Sequence, residues 1–228
     1  MMTQQLKLDF SHQTSLSREN FFVAPSNKIA LSHVDDFLQN KNLYLVITGP
    51  AGSGKTHLVD IWSNQFNGEI IQADEIEQQN IIELVTKPVA VEDIPKIADN
   101  IDAQLMLFNL FNLCAASQQK LLLTGRNHVN FWGLSLEDLK SRIEATPVAA
   151  LGLPDDELLT AVLAKLFVDR QIIPKPTVIP YLVAHMERSF NAAQKIVEEL
   201  DNASLAQNRK LTVPLVSQLL HKMNNYCS

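Results

Sequence analysis

Apolar positions along this chain come in two kinds of pattern, and the change falls near residue 151. Upstream, short near-continuous apolar runs recur at 43–48, 69–72, 88–91, 120–124 and 146–150. The first, Leu43-Tyr44-Leu45-Val46-Ile47-Thr48, has the length and β-branched content of a strand buried on both faces. Between the runs the spacing turns helical, over segments of about 10 to 17 residues. Pro25-Ser26-Asn27 offers a cap for a first helix that carries Ile29, Ala30, Val34 and Phe37 and ends near residue 39. A second helix is predicted over 57–66. A third, over 101–116, has Leu105, Met106, Leu107, Phe108, Leu110, Phe111 and Leu113 and almost no polar face, which predicts burial all round. Such alternation implies right-handed crossovers and a parallel five-stranded sheet between helices, an α/β domain. Downstream of Leu151-Gly152-Leu153-Pro154 only helical patterns remain, over 154–170 with three acids near its start, 177–186, 189–206 and 212–223. The expected organisation is a flexible polar tail over 1–18, an α/β core over 19–151 and a small all-helical domain over 152–228.

Composition narrows the class. The 228 residues are 46% hydrophobic and 19% charged, and no apolar stretch approaches the roughly 18 residues of a membrane span. The first ten residues lack the basic and then apolar build of a signal peptide, so a cytoplasmic protein without membrane contact is expected. Cys114 and Cys227 show no metal-ligand spacing. The net charge of −6 argues against a protein that grips nucleic acid chiefly by neutralising phosphates. Residues 1–150 hold 11 basic and 17 acidic side chains and the remainder 8 of each, so the core carries the whole imbalance.

Three of only seven glycines fall at Gly49, Gly52 and Gly54. The run Gly49-Pro50-Ala51-Gly52-Ser53-Gly54-Lys55-Thr56 matches the phosphate-loop pattern G-x-x-x-x-G-K-[ST], directly after a buried strand and before a helix that opens at His57. In such a loop the N–H groups turn onto phosphate oxygens and the helix N-terminus adds its positive end. Lys55 is expected to reach the β- and γ-phosphates of ATP or ADP and Thr56 to hold Mg²⁺ through its hydroxyl. The loop also requires an acid at a neighbouring strand tip. Val89-Ala90-Val91-Glu92-Asp93 supplies two: one would contact the Mg²⁺ shell, and the other would orient the attacking water. Thr124, ending the run 120–124, stands where a polar group would sense the γ-phosphate or that water.

These pieces, in this order and followed by a helical lid, resemble the AAA+ ATPases, and within them the DnaA/Hda family. The likeness covers about residues 19–224. Glu19-Asn20-Phe21-Phe22-Val23-Ala24-Pro25-Ser26-Asn27 is similar to the segment that frames the adenine, which implies nucleotide contacts for Phe22 and Val23 beside those of the loop through His57. Phe108-Asn109-Leu110-Phe111-Asn112 resembles the helix after the strand that carries the acids. Leu139-Lys140-Ser141-Arg142 is similar to the family's box VII, which makes Arg142 the implied arginine finger, acting on a neighbouring subunit's nucleotide. Glu187-Arg188-Ser189-Phe190-Asn191-Ala192-Ala193 resembles the sensor 2 segment, with Arg188 as its arginine and Thr124 as sensor 1. The metal acid of the family is usually aspartate and aligns with Glu92, longer by one methylene. The resemblance thus implies Glu92 for the metal shell and Asp93 for the water, with the choice of catalytic acid left open between them, and the longer side chain argues against rapid intrinsic ATP turnover. Gln5-Leu6-Lys7-Leu8-Asp9-Phe10 resembles a sliding-clamp-binding peptide, in which Gln5, Leu6, Leu8 and Phe10 are the anchors.

The resemblance implies a regulator of replication initiation. It would bind ADP or ATP with Mg²⁺, dock on the DNA polymerase clamp, meet DNA and the nucleoid only through partners, and promote hydrolysis of DnaA-bound ATP. The chain ends after the lid, without the helix-turn-helix domain of DnaA, which points to the Hda branch. A homo-oligomer is compatible with this reading. Two other classes remain open: an AAA+ ATPase of helicase-loader or transposition type acting directly on DNA, and a small-molecule kinase.

Overall fold

The computed structural model describes residues 23–24, 26–39, 42–207 and 211–225. Successive side chains of a strand point to opposite faces of its sheet, and β1 (Tyr44–Thr48) uses both faces for burial. Leu45 and Ile47 pack with Ala90, Leu122 and Ala149 against α1 (Lys28–Gln39) and α2 (Lys55–Phe66), where Phe37 stacks near Trp62. Val46 faces the other way, with Val89, Val91, Leu121 and Leu123 against α4 (Ile101–Ser117) and α5 (Glu137–Glu144). Two-sided burial is why these strands read as continuous apolar runs rather than alternating ones.

The other strands are β2 (Glu69–Gln72), β3 (Val89–Glu92), β4 (Leu121–Gly125) and β5 (Val148–Ala150). All pairings are parallel, in the order β2-β3-β4-β1-β5. The predicted parallel five-stranded sheet between helices is therefore observed. Ile47 pairs with Thr124, Val91 with Leu123 and Gln72 with Glu92. This register brings the ends of β1, β2, β3 and β4 to one edge, just where the phosphate loop begins. Ligand sites of open parallel sheets form at this carboxyl edge.

Two expectations need correction. The connection from β2 to β3 contains no long helix, only a 3₁₀ turn over Ala73–Gln78 and α3 (Ile81–Leu84). Ala73, Ile76 and Val85 fill the core there, so a short crossover covers the outermost strand. Nor is α4 buried all round: Ile101 and Leu105 are 47% and 43% exposed, while Gln104 on the inner face is fully buried. The Gln104 amide donates to the carbonyls of Ile97 and Ala98, and its oxygen accepts the N–H groups of Ser135 and Leu136. A residue that reads as polar surface thus pins the start of α4 to the approach to α5.

The helical part comprises α6 (Asp156–Asp169), α7 (Val178–His185), α8 (Phe190–Gln207) and α9 (Val213–Asn225). Leu159, Leu163, Phe167, Leu182, Val197, Leu200 and Val216 form a separate apolar core. Of the three predicted first-turn acids, Asp155 is the cap of α6, its carboxylate accepting the Leu158 N–H at 2.8 Å. No helix among the described residues is long and apolar enough to cross a membrane.

Candidate nucleotide-binding site

The loop between β1 and α2 leaves the carboxyl edge at Gly49. Gly52 and Gly54 take φ values of +74° and +92°, the left-handed region where a side chain costs roughly 1–2 kcal/mol. They are also where the helical domain touches the loop. A Cβ at Gly52 would stand 2.3 Å from Ser189 Cβ, and one at Gly54 would stand 2.9 Å from the Phe190 ring. The Phe190 N–H donates to Gly52 O at 3.3 Å. Both glycines thus serve a backbone curvature and a close approach at once.

Within the loop, Lys55 Nζ donates to the carbonyls of Gly49 and Pro50, each at 2.9 Å. Burial lowers the Lys55 pKa, against the favourable charge of Asp93. Ser53 Oγ is buried without a hydrogen-bond partner. Thr56, one residue into α2, donates its hydroxyl to Glu92 Oε1 at 2.9 Å across the strand tips. His57 is half-buried, and burial pushes its imidazole pKa down, against the charge of Asp60. Pro50 and Ala51 form the exposed crest of the loop.

Glu92 ends β3 and is buried. Its second oxygen accepts a 3.4 Å hydrogen bond from Gln72 of the neighbouring strand. Sequence reasoning missed Gln72; only the pairing of Gln72 with Glu92 reveals it. Asp93 follows with φ +58°, and its N–H donates to Thr124 Oγ1 at 3.1 Å. Glu92 thus meets Thr56 directly, while the backbone of Asp93 meets Thr124 at the next strand tip. A hydroxyl with carboxylate oxygens is the hard donor set that suits Mg²⁺. An inward-curved glycine loop on a 12-residue helix suits a phosphate chain. The residues present fit the cofactor pair expected from sequence.

Burial raises the Glu92 pKa, against the hydrogen bonds from Thr56 and Gln72. A folded-state value above the unfolded one means that stability is fully present below the unfolded pKa and is lost as pH rises through the folded one. At neutral pH the Glu92 carboxylate is therefore a net cost. Glu92→Gln, whose amide oxygen still accepts from Thr56, is expected to raise the melting temperature by about 2 °C at pH 7.5. The gain should shrink toward pH 4 in calorimetric scans; a gain independent of pH would assign the cost elsewhere.

The remaining sequence-predicted residues are dispersed. Phe22 and the peptide residues Gln5, Leu6, Leu8 and Phe10 lie outside the described residues, as does Cys227. Val23 is exposed, and the adjoining Ala24 N–H donates to Asn27 Oδ1. Ser26 N–H donates to Asp155 Oδ2, tying this segment to the first turn of α6. Arg188 is held by the helical domain, not by the loop: it donates to Pro154 O and pairs with Asp156. The residues of that segment that meet the loop are Ser189 and Phe190, and sequence spacing alone does not show which of the three faces it.

Arg142 sits in the last turn of α5, exposed, with its guanidinium 4.9 Å from the Phe108 ring centroid. It lines a groove with Asn42, Leu43, Tyr44 and Pro147, at the starts of β1 and β5. That is the amino edge of the sheet. The phosphate loop lies at the carboxyl edge, roughly 15 Å away along β1 at about 3.3 Å per residue.

A strand–loop–helix turn with acids on the adjoining strand, and a helical domain against the loop, is the arrangement of the AAA+ fold. The family model described as "Hda, lid domain" matches residues 156–220. The chromosomal replication initiator protein DnaA of Buchnera aphidicola is 25% identical over 227 residues, covering 90% of this chain and 52% of that protein. The chain thus spans about half the length of that initiator. Domain III of the Thermotoga maritima initiator DnaA superposes with a TM-score of 0.78 at 17% identity, covering 92% of this chain and 97% of that one. AMPPCP-bound DnaA from Aquifex aeolicus gives 0.68 at 20% identity, covering 80% and 63%. The chain is thus similar to the Hda lid family over residues 156–220 and to DnaA over most of its length, and it shares the AAA+ fold of the DnaA structures.

Proposed function

We propose that this chain is a DnaA-related regulator of replication initiation that binds a nucleotide in its own loop and promotes hydrolysis of ATP held by DnaA. The position of Arg142 carries this reading. An arginine at the amino edge of the sheet is a strand's length from its own phosphate loop, so the charge it offers serves a nucleotide on another subunit. A guanidinium supplied in trans neutralises charge that develops on the transferred phosphoryl group. The lid match and the likeness to DnaA support DnaA as that subunit.

In the chain's own site, a nucleotide with Mg²⁺ supplies the phosphate anions and the hard cation for which these residues are suited. The loop N–H groups from Ala51 to Thr56 bind and orient the phosphates, and Lys55 exchanges the Gly49 and Pro50 carbonyls for phosphate oxygens. Thr56 and Glu92 hold the cation side, and Asp93 and Thr124 stand where a water would be oriented. The resemblance assigns Val23, Phe22 and His57 to the nucleoside end. Ser189 and Phe190 seat the lid on the loop, so a bound nucleotide fixes the lid's position. Arg188 acts in the lid through Asp156. AMPPCP in the Aquifex neighbour is consistent with ATP or ADP here.

The test is the rate of ATP hydrolysis by DnaA with and without this protein and clamp loaded on DNA. Acceleration that requires all three supports the reading; no acceleration rejects it. The clamp arm rests on the amino-terminal peptide, a short motif with a few buried anchors. Gln5→Ala with Phe10→Ala is expected to abolish capture by immobilised clamp while leaving nucleotide binding unchanged. Retained capture would reject the peptide as the contact. Salt-sensitive DNA binding without the clamp would instead favour an ATPase that acts directly on DNA.

A further inference from the structure

Lys96 belongs to neither the loop, the metal acids nor the lid contacts, yet several elements of the site converge on it. It follows Asp93 by three residues, on the 3₁₀ turn Ile94–Ile97. Its Nζ stands 3.8 Å from Asp93 Oδ2, 3.4 Å from Asp74 Oδ1 and 3.3 Å from Gln72 Oε1. Asp93 comes from the end of β3, Gln72 from the end of β2, and Asp74 from the turn beyond it. Gln72 in turn donates to Glu92, which accepts from Thr56. One connected chain of polar contacts therefore runs from the metal-side hydroxyl to the Lys96 ammonium.

The base of Lys96 is fixed because its neighbours Ile94 and Ile97 are buried in the core, while its side chain is 42% exposed. Asp93 is held too, by its left-handed backbone and its N–H bond to Thr124. A carboxylate so placed has two cations to choose between. One is the resident ammonium; the other would be a divalent ion held by Thr56 and by Glu92, the residue before Asp93 in the chain.

We propose that Lys96 is a positioning residue whose ammonium competes with the nucleotide's divalent cation for the Asp93 carboxylate, holding down both metal affinity and basal turnover. The proposal rests on the reading of this site as a nucleotide site. In basal hydrolysis a water oxygen bonds the γ-phosphorus, the β–γ bridging P–O bond breaks with its electron pair leaving on ADP, and the water's proton passes to the Asp93 carboxylate. With Oδ2 engaged by Lys96, the Asp93 carboxylate has one oxygen fewer to offer the metal or the attacking water.

An exposed ion pair is worth about 0.2–1 kcal/mol, so at 1.4 kcal/mol per factor of ten its release should change affinity by about 1.4- to fivefold. The experiment titrates the full chain with Mn²⁺ in the presence of ADP, read by the electron paramagnetic resonance of free Mn²⁺. A fluorescent ADP analogue reports nucleotide binding separately. Lys96→Met is expected to bind Mn²⁺ about threefold more tightly than the native chain at low salt. The difference should shrink as added salt screens the native pair. Lys96→Arg should stay near the native value, and Lys96→Met should have no effect on an Asp93→Asn background. Basal ATP hydrolysis should rise in the same proportion in Lys96→Met.

If the fluorescent analogue binds neither protein, the nucleotide-site reading falls and this proposal with it. If it binds both alike while Lys96→Met takes up Mn²⁺ no more tightly than the native chain, the Lys96 proposal alone is overturned. A gain that persists with Asp93→Asn overturns it equally.

Discussion

Arg142→Ala is expected to abolish the stimulation of DnaA-bound ATP hydrolysis, a loss of about a thousandfold or more if the guanidinium acts as an arginine finger in trans. The chain itself should remain folded. Arg142 is exposed, its contact with Phe108 is a cation–π pair at a solvent-facing site, and such contacts are worth about 0.5–1 kcal/mol. The neighbouring Leu139 and Ile143, which anchor α5 in the core, are untouched by the change. Nucleotide binding by the variant should equal that of the native chain, because the phosphate loop lies at the opposite edge of the sheet. Stimulation that survives the substitution would remove Arg142 from the mechanism. Lost nucleotide binding would show that its effect travels through the fold.

The second large effect is expected at Gly52. Gly52→Ala places a Cβ on a backbone with φ +74° and drives it to 2.3 Å from Ser189 Cβ. Backbone strain alone costs roughly 1–2 kcal/mol, and relieving the clash requires the start of α8 to leave the loop. With 1.4 kcal/mol for each factor of ten, affinity for ADP should fall by about tenfold or more in a fluorescent-nucleotide titration. Gly133→Ala provides the control: it has a similar φ of +69°, but its nearest neighbour, Ala98 Cβ, is 3.4 Å away. It should lose stability with little change in nucleotide affinity. Adding Ser189→Gly to Gly52→Ala removes the obstructing Cβ and should recover part of the affinity. An equal loss in both glycine variants, or no recovery, would mean that the lid contact does not contribute.

Much of the site was legible along the chain because the phosphate loop is a local device. Its residues are contiguous, its glycines are demanded by its curvature, and the strand before it and the helix after it carry different apolar periods. The acids Glu92 and Asp93 were legible for a similar reason, since they terminate an apolar run of strand length. Gln72 was not: its role arises from parallel pairing with a strand 20 residues later. Lys96 was hidden in a turn whose placement against β2 has no local signal. Arg188 shows the opposite difficulty. A resemblance selected it within a seven-residue segment, while packing turns it toward Asp156 and gives the loop contacts to Ser189 and Phe190.

The sequence by itself determined the α/β alternation, the phosphate loop, the adjacent strand-tip acids and the change to an all-helical segment after residue 151. Each of these is written in local periodicity or in consecutive residues, and local periodicity survives translation into structure because burial on two faces or on one stripe imposes it. Only the tertiary structure decided the strand order, the seating of the lid on Gly52 and Gly54, the polar chain from Thr56 to Lys96, and the separation of Arg142 from its own phosphate loop. Those depend on which segments lie side by side, and that is settled by the packing of two apolar sheet faces against helices far apart in the chain.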